Sequence, residues 1–85
     1  MNKAEVSGVK YSYRIALNTY SDVKKFVETA TKAEGKLVLK SGEKFTVNAK
    51  SLLGVLLASK LNWSDLTLVS DKDCYFDFEK FIVIE

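Results

Sequence analysis

The segment of residues 49–58 constrains the fold of this chain more than any other, because it combines a helix start with an almost unbroken apolar surface. Lys50 or Ser51 stands at the position of an N-cap, where a serine hydroxyl accepts a hydrogen bond from a backbone N–H of the first turn. The large apolar residues that follow are Leu52, Leu53, Val55, Leu56 and Leu57. A helix that packs on a domain buries only part of its circumference. We therefore expect some of these leucines to form an exposed docking surface, the alternative being a fully buried helix.

The length and charge of the chain limit its class. With 85 residues, of which 47% are hydrophobic, it is expected to fold as a single domain over residues 1–85, with a frayed polar N-terminus over residues 1–8. Its 13 basic and 11 acidic residues are interspersed, which is not the pattern of a nucleic-acid-binding protein. We find neither a signal-peptide pattern nor an apolar run of membrane-spanning length, so we expect a cytoplasmic protein without nucleic acid or membrane as a partner.

The rare residue types exclude several kinds of chemistry. The sequence has one cysteine and no histidine, which rules out an internal disulfide and any metal or acid–base site built on histidine. Cys74 is expected to be a small buried residue and not a nucleophile, because no histidine is present to activate its thiol. We expect no metal, no cofactor and no enzymatic activity.

Periodicity predicts a strand and then a helix in the first half of the chain. Apolar and polar residues alternate over residues 9–17, which is typical of a strand with one face on a core. Thr19 and Asp22 form a variant of the capping box, and apolar residues then recur at helical spacing. Gly35 is placed to end this helix in a left-handed C-cap.

The second half continues with two strands, the apolar helix and a fourth strand. Strands are expected at residues 37–39 and 45–48, joined by a hairpin turn in which Gly42 adopts a positive φ, and at residues 65–69. For residues 74–85 the apolar spacing fits a short helix or an edge strand, and the helix is preferred. The order predicts an α+β fold, a four-stranded antiparallel sheet with three helices on one face (β-α-β-β-α-β-α).

This order, together with residues 46–55 (TVNAKSLLGV), resembles the histidine-containing phosphocarrier protein (HPr) family of the bacterial sugar phosphotransferase system. The resemblance extends from residue 9 to the C-terminus and is strongest over residues 37–69. It implies the open-faced β-sandwich of that family. In the family a histidine opens the first helix, accepts a phosphoryl group from enzyme I and passes it to sugar-specific acceptors, and a neighbouring arginine helps to hold the phosphate.

The residues that carry this phosphotransfer are absent. The resemblance puts Thr19 at the position of the histidine, Ser21 at that of the arginine and Asp22 where a proline is usual. A phosphothreonine ester is a poorer phosphoryl donor than a phosphoramidate on imidazole, and the Asp22 carboxylate would repel the incoming phosphate. We therefore expect a regulatory or adaptor protein, the alternative being a residual phosphoryl acceptor or carrier that uses Thr19 or Ser21.

The resemblance also implies how partners would be bound. Ser51 matches a regulatory site that an ATP-dependent kinase phosphorylates in many Gram-positive members, and a phosphate there would be stabilised by the helix N-terminus. The alternative role of Ser51 is an ordinary N-cap. The implied docking residues on and beside the second helix are Lys24, Lys50, Leu52, Leu53 and Leu56. The implied partners are phosphotransferase-system enzymes, a serine kinase or a transcription regulator, and the sequence leaves the oligomeric state open.

Three aromatic residues are candidate contact residues. Trp63 is expected to pack over the end of the core, the alternative being an anchor for a partner. Tyr11 and Tyr13 could stack on a nucleic acid across the open face of the sheet, but their alternation with Lys10 and Arg14 places them towards the core. Nucleic-acid binding is therefore the least favoured hypothesis.

Overall fold

The computed structural model describes residues 10–84 and contains a four-stranded sheet and two α-helices. In chain order the elements are β1 (Tyr11–Ile15), α1 (Tyr20–Lys32), β2 (Leu37–Ser41), β3 (Phe45–Asn48), α2 (Leu52–Leu61) and β4 (Leu66–Ser70). The α+β class and the antiparallel sheet are thereby confirmed. The expected frayed segment, residues 1–8, and the first residue of the predicted first strand, Val9, lie outside the described residues.

The sheet is antiparallel throughout, with the strand order β1-β4-β2-β3. One cross-strand row runs from Tyr13 through Leu68 and Leu39 to Val47. Directly opposed residues share a face, and Leu39 and Leu68 belong to the core cluster that also contains the buried side chains of both helices. Tyr11 and Tyr13 therefore lie on the helix-covered side, as the alternation predicted.

The opposite face of the sheet is largely polar. Its central row consists of Arg14, Thr67, Lys40 and Thr46. The side chains at these positions are exposed or partly exposed. Both helices thus pack on one face, and the other faces solvent, as antiparallel sheets allow.

Helix α1 begins with the predicted capping box. Thr19 is the N-cap, and it and Asp22 bind each other's backbone N–H groups. The C-terminal prediction was wrong in detail, because α1 ends at Lys32, before Gly35. Gly35 does have a positive φ, of 92°, but there it turns the chain past Asp71, whose carboxylate accepts a hydrogen bond from the Lys36 N–H at 3.0 Å.

The prediction of a third helix in residues 74–85 was wrong. Residues Glu79–Phe81 form one 3₁₀ turn, and no further α-helix occurs between residues 71 and 84. The turn brings Phe78 and Phe81 against Phe26, with ring centroids 5.2 and 5.6 Å apart. A 3₁₀ turn aligns residues three apart on one side, which is the spacing that indicated a helix.

Beyond this turn the chain becomes extended along the outer edge of β1. Ile82 forms an isolated antiparallel bridge with Ile15. The Val83 N–H donates to the Arg14 carbonyl, and the Ala16 N–H donates to that of Phe81, both at 2.9 Å. These bonds stop the helical turn from continuing. The helical spacing of the apolar residues therefore describes the part of this segment up to residue 81, and the alternating spacing describes the extended part after it.

Two smaller expectations are confirmed. Gly42 adopts a φ of 68° in the β2–β3 connection, and Cys74 is buried. Within residues 10–84, neither α-helix has the length and apolarity that crossing a membrane would require.

Candidate functional site

Helix α2 leaves most of its large side chains in solvent. It contacts the core mainly through Val55 and Ala58. The exposed members are Leu52, Leu53, Leu57 and Leu61, which we call the leucine face. Three of them lie four residues apart and so in one row along the helix, with exposed fractions of 76% for Leu53, 47% for Leu57 and 54% for Leu61. This row is an apolar surface that no part of the described chain covers.

The leucine face differs in part from the docking residues expected from the sequence. Leu52 and Leu53 are exposed, whereas Leu56 is half-buried and packs against the core. Leu57 was among the apolar residues of the predicted helix but not in the docking set implied by the resemblance, and Leu61 was in neither. The spacing of four residues from Leu53 would have identified both, provided that the direction of the buried side had been known.

The two helices run antiparallel, and a groove of about 380 Å³ separates the start of α1 from the end of α2. From α1 and the residues before it, the lining includes Thr19, Tyr20 and Val23; from α2 and its exit loop, it includes Leu56, Ser59, Lys60 and Trp63. This groove adjoins the leucine face on the side of α1. Thr19 is therefore near the end of α2 and not near Ser51.

Trp63 lies at the rim of this groove and is 67% exposed, so the prediction that it covers the core was wrong. A tight turn explains its position. The Asp65 N–H donates to the Asn62 carbonyl at 2.9 Å, and the Asn62 amide donates to the Ser41 hydroxyl at 3.1 Å. Asn62, although exposed, is thereby held against the end of β2, and Trp63 follows it on the outside of the turn.

The hydroxyl of Thr19, which the resemblance puts at the position of a histidine, caps a helix. Thr19 Oγ1 accepts a hydrogen bond from the Asp22 N–H at 3.1 Å. Asp22 Oδ2 accepts bonds from the N–H groups of Thr19 and Asn18, at 3.2 and 3.0 Å. The Asp22 carboxylate therefore places a negative charge at this helix start, which opposes the binding of a phosphate there. Ser21 is exposed in the first turn.

Ser51 is the N-cap of α2, one of the two positions that the sequence allowed. Its Oγ accepts a hydrogen bond from the Gly54 N–H at 3.1 Å, and the residue is half-buried. The first turn of α2 contains no acidic side chain. The electrostatic environment of this helix start thus differs from that of α1, where Asp22 already supplies a negative charge.

The two expected docking lysines have different environments. Lys50 is half-buried, and its Nζ donates a hydrogen bond to the Ala33 carbonyl at 3.1 Å. Lys24 is exposed, with its Nζ 5.9 Å from the centroid of the Tyr20 ring, which lines the groove. Lys24 is thus placed beside the groove, whereas Lys50 connects the start of α2 to the end of α1.

The perturbed titratable groups lie away from the leucine face. The Tyr13 hydroxyl donates to Asp73 Oδ1 at 2.9 Å and accepts from the Cys74 N–H at 3.3 Å. Burial, and then the bond to Asp73, raises the pKa of Tyr13 to about 12. Burial also raises the pKa of the Cys74 thiol, which favours the unreactive protonated form. Among the described residues, no three carboxylate or thiol side chains come together as a metal site would require.

Comparison with known proteins adds no family assignment. No protein-family model matches the chain. No curated protein matches it significantly.

Proposed function

We propose that this chain is an HPr-like regulatory or adaptor protein that lacks the phosphoryl-accepting histidine and docks cytoplasmic partner proteins through α2. The observation that carries the proposal is the leucine face. Contiguous apolar patches of this kind on a small protein mark interaction sites, because leaving them in water forfeits the free energy of burial. The partners in this proposal are enzymes of the sugar phosphotransferase system, a serine kinase or a transcription regulator.

The architecture supports the proposal without carrying it alone. The order β-α-β-β-α-β, the antiparallel sheet and the placement of both α-helices on one face agree with the open-faced β-sandwich that the resemblance implies. The single 3₁₀ turn in place of a third helix is a departure from it. Fold alone does not establish function, and the exposed surface of α2 is therefore the feature that supports a docking role.

Phosphorylation of Ser51 is proposed as the switch of this docking surface. Ser51 precedes Leu52 and Leu53, so a phosphate there would place nearly two negative charges beside the leucine face. The start of α2 favours an anion, because its helix dipole is not offset by an acidic residue in the first turn. Partners that bury the leucines would then lose affinity, whereas a partner that reads the phosphate would gain it.

The alternative, a phosphoryl acceptor at Thr19 or Ser21, is less favoured. The Thr19 hydroxyl is engaged in the capping box, and the Asp22 carboxylate lies directly beside it. A phosphate on Thr19 would disrupt this cap and meet a like charge. A transfer assay with enzyme I and labelled phosphate tests this alternative, with Thr19→Asn as the matched variant, because asparagine keeps the cap but cannot accept a phosphoryl group.

The docking proposal is tested by titrating purified enzyme I, the serine kinase and the transcription regulator with this protein. Leu53→Asp combined with Leu57→Asp should abolish binding of a partner that the unchanged protein binds. The matched control is Phe76→Asp, at a position 84% exposed and outside α2, which should bind normally. Leu56 is left unchanged because it also packs against the core. Equal binding by the double variant, or no binding of any of the three proteins, would refute the proposal.

The switch has its own experiment. The purified kinase and ATP should add one phosphate to the unchanged protein and none to Ser51→Asn. Asparagine caps a helix about as well as serine, so the two proteins should unfold at the same temperature, and a loss of phosphate cannot be blamed on the fold. Phosphate that appears on Ser51→Asn would remove Ser51 from the proposal.

A further inference from the structure

We propose that, in the absence of a partner, a second copy of this chain covers the leucine face, with the two α2 helices antiparallel and the two-fold axis beside Leu57. This inference rests on the proposed function, because it names what occupies the docking surface when no partner is bound. A partner would then have to displace the second copy. The dimer would be the inactive store of the adaptor, and partner binding would release a monomer.

The extent of the apolar surface is suited to such a dimer. Tyr20 and Trp63, both more than half exposed, line the groove beside Leu56 and Lys60 and add their apolar surface to that of the leucine face. Taking roughly 100 Å² for a fully exposed leucine side chain and roughly 200 Å² for a large aromatic one, the exposed fractions amount to on the order of 500 Å² of apolar surface. A standard interface buries about 800 Å² per partner, of which about 65% is apolar in homodimers.

The spacing of the leucines matches the packing of a helix against its own copy. Leu53, Leu57 and Leu61 form a ridge of residues four apart. Ridges of this spacing interdigitate with each other in the commonest class of helix pair, which crosses at about −50°. Leu57 is the midpoint of the ridge, so a two-fold axis beside it places each Leu53 near the Leu61 of the second copy. An isologous interface has this self-complementary form.

Charge selects the antiparallel arrangement. Lys60 is the one charged residue between Leu52 and Leu61. In a parallel pair the two Lys60 side chains would be neighbours, whereas in the antiparallel pair they lie at opposite ends of the interface. The helix dipoles also oppose each other in that arrangement. The centre of the interface would then contain no charge, as is typical of homodimer cores.

A cysteine at the axis tests this geometry directly. Helices 8–10 Å apart, with Cα atoms about 2.3 Å from each axis, bring the two Cα atoms at position 57 to roughly 3.5–5.5 Å. This range overlaps the separation of about 4.4–6.8 Å that a disulfide needs. Leu57→Cys should therefore cross-link to a dimer under mild oxidation. The unchanged protein, whose Cys74 is buried, should not, and Phe76→Cys should cross-link much more slowly.

Sedimentation of the purified protein supplies the second measurement. The dimer fraction should rise with concentration for the unchanged protein and for Phe76→Asp. Leu57→Asp should weaken association by roughly a hundredfold or more, because it places two like charges together at the axis. A monomer at every concentration, or equal cross-linking of Leu57→Cys and Phe76→Cys, would overturn the dimer.

The outcomes separate this inference from the proposed function. If the unchanged protein is a monomer and Leu53→Asp with Leu57→Asp still abolishes partner binding, the docking proposal stands and the dimer is refuted. If the protein dimerises through Leu57 but binds none of the proposed partners, the dimer stands and the docking proposal is refuted.

Discussion

The Nζ atom of Lys50 donates a hydrogen bond to the Ala33 carbonyl oxygen at 3.1 Å and so joins the start of α2 to the end of α1. The carbonyls of the last helical turn have no partner within the helix, and a cation there also opposes the negative end of the helix dipole. Lys50 was expected to flank a docking surface. In the structure its ammonium group has an intramolecular partner.

We predict that Lys50→Met lowers the free energy of unfolding by about 1–2 kcal/mol, because it removes a hydrogen bond from a charged group in a partly buried position. Chemical denaturation measures the change. Lys24→Met is the matched control, since Lys24 is exposed and should change stability by less than about 0.5 kcal/mol. Equal stability of the two variants would show that the Lys50 contact contributes nothing.

The capping box gives a second prediction. Thr19→Ala should destabilise the protein by about 1 kcal/mol, whereas Thr19→Ser should be close to neutral, because serine retains the hydroxyl that accepts the Asp22 N–H. Thermal unfolding monitored by circular dichroism gives both values. If Thr19→Ser lost as much stability as Thr19→Ala, the cap would not be the source of the effect.

The phenol of Tyr13 predicts a loss of stability at alkaline pH. Its pKa is raised to about 12 by burial and by the bond to Asp73, above the value of about 10 in an unfolded chain. The native state therefore retains this proton more strongly than the unfolded state. The stabilisation is fully present below about pH 10 and is lost as the pH rises from 10 to 12.

This prediction is measured by tyrosinate absorbance and by denaturation at each pH. The absorbance titration should contain a late ionisation step near pH 12, and Tyr13→Phe should remove that step. The unchanged protein should also lose stability more steeply than Tyr13→Phe between pH 10 and 12. Parallel stability curves for the two proteins would contradict the role of Tyr13.

Two phenylalanines, Phe76 and Phe78, give a matched pair for the core. Phe78 is fully buried and contacts the Phe26 ring at a centroid distance of 5.2 Å, whereas Phe76 is exposed. Phe78→Ala should cost about 3–5 kcal/mol through the cavity that it leaves. Phe76→Ala should change stability by about 0.5 kcal/mol or less. Denaturant unfolding of both variants checks the difference, and similar costs would mean that residues 74–81 do not close the core.

Much of the local structure followed from the sequence, because local rules decide it. The alternation around Tyr13 predicted β1, the Thr19–Asp22 pair predicted the start of α1, and Gly42 predicted the turn after β2. The α+β class followed from the order of the elements. Ser51 remained one of two candidates for the α2 cap, and the Gly54 N–H identifies it.

The parts that the sequence missed depend on contacts between distant residues. The 3₁₀ turn at residues 79–81 gives way to an extended segment because the carbonyl of Arg14 and the N–H of Ala16 are available at the edge of β1. Trp63 is exposed in a turn that is held by the hydrogen bond from the preceding Asn62 to Ser41. Arg14 and Ala16 are far in sequence from residues 79–83, and Ser41 is far in sequence from Asn62 and Trp63.

The same division applies to the leucine face. The sequence by itself determined that the segment after Ser51 forms a short helix with more apolar side chains than one buried side can take up, since composition and helical periodicity are local properties. Only the tertiary structure decided which leucines are exposed. The direction of the buried side depends on where β2, β3 and α1 lie, and that position results from long-range packing of the core. Leu56 consequently turns inward, whereas Leu53, Leu57 and Leu61 remain in solvent.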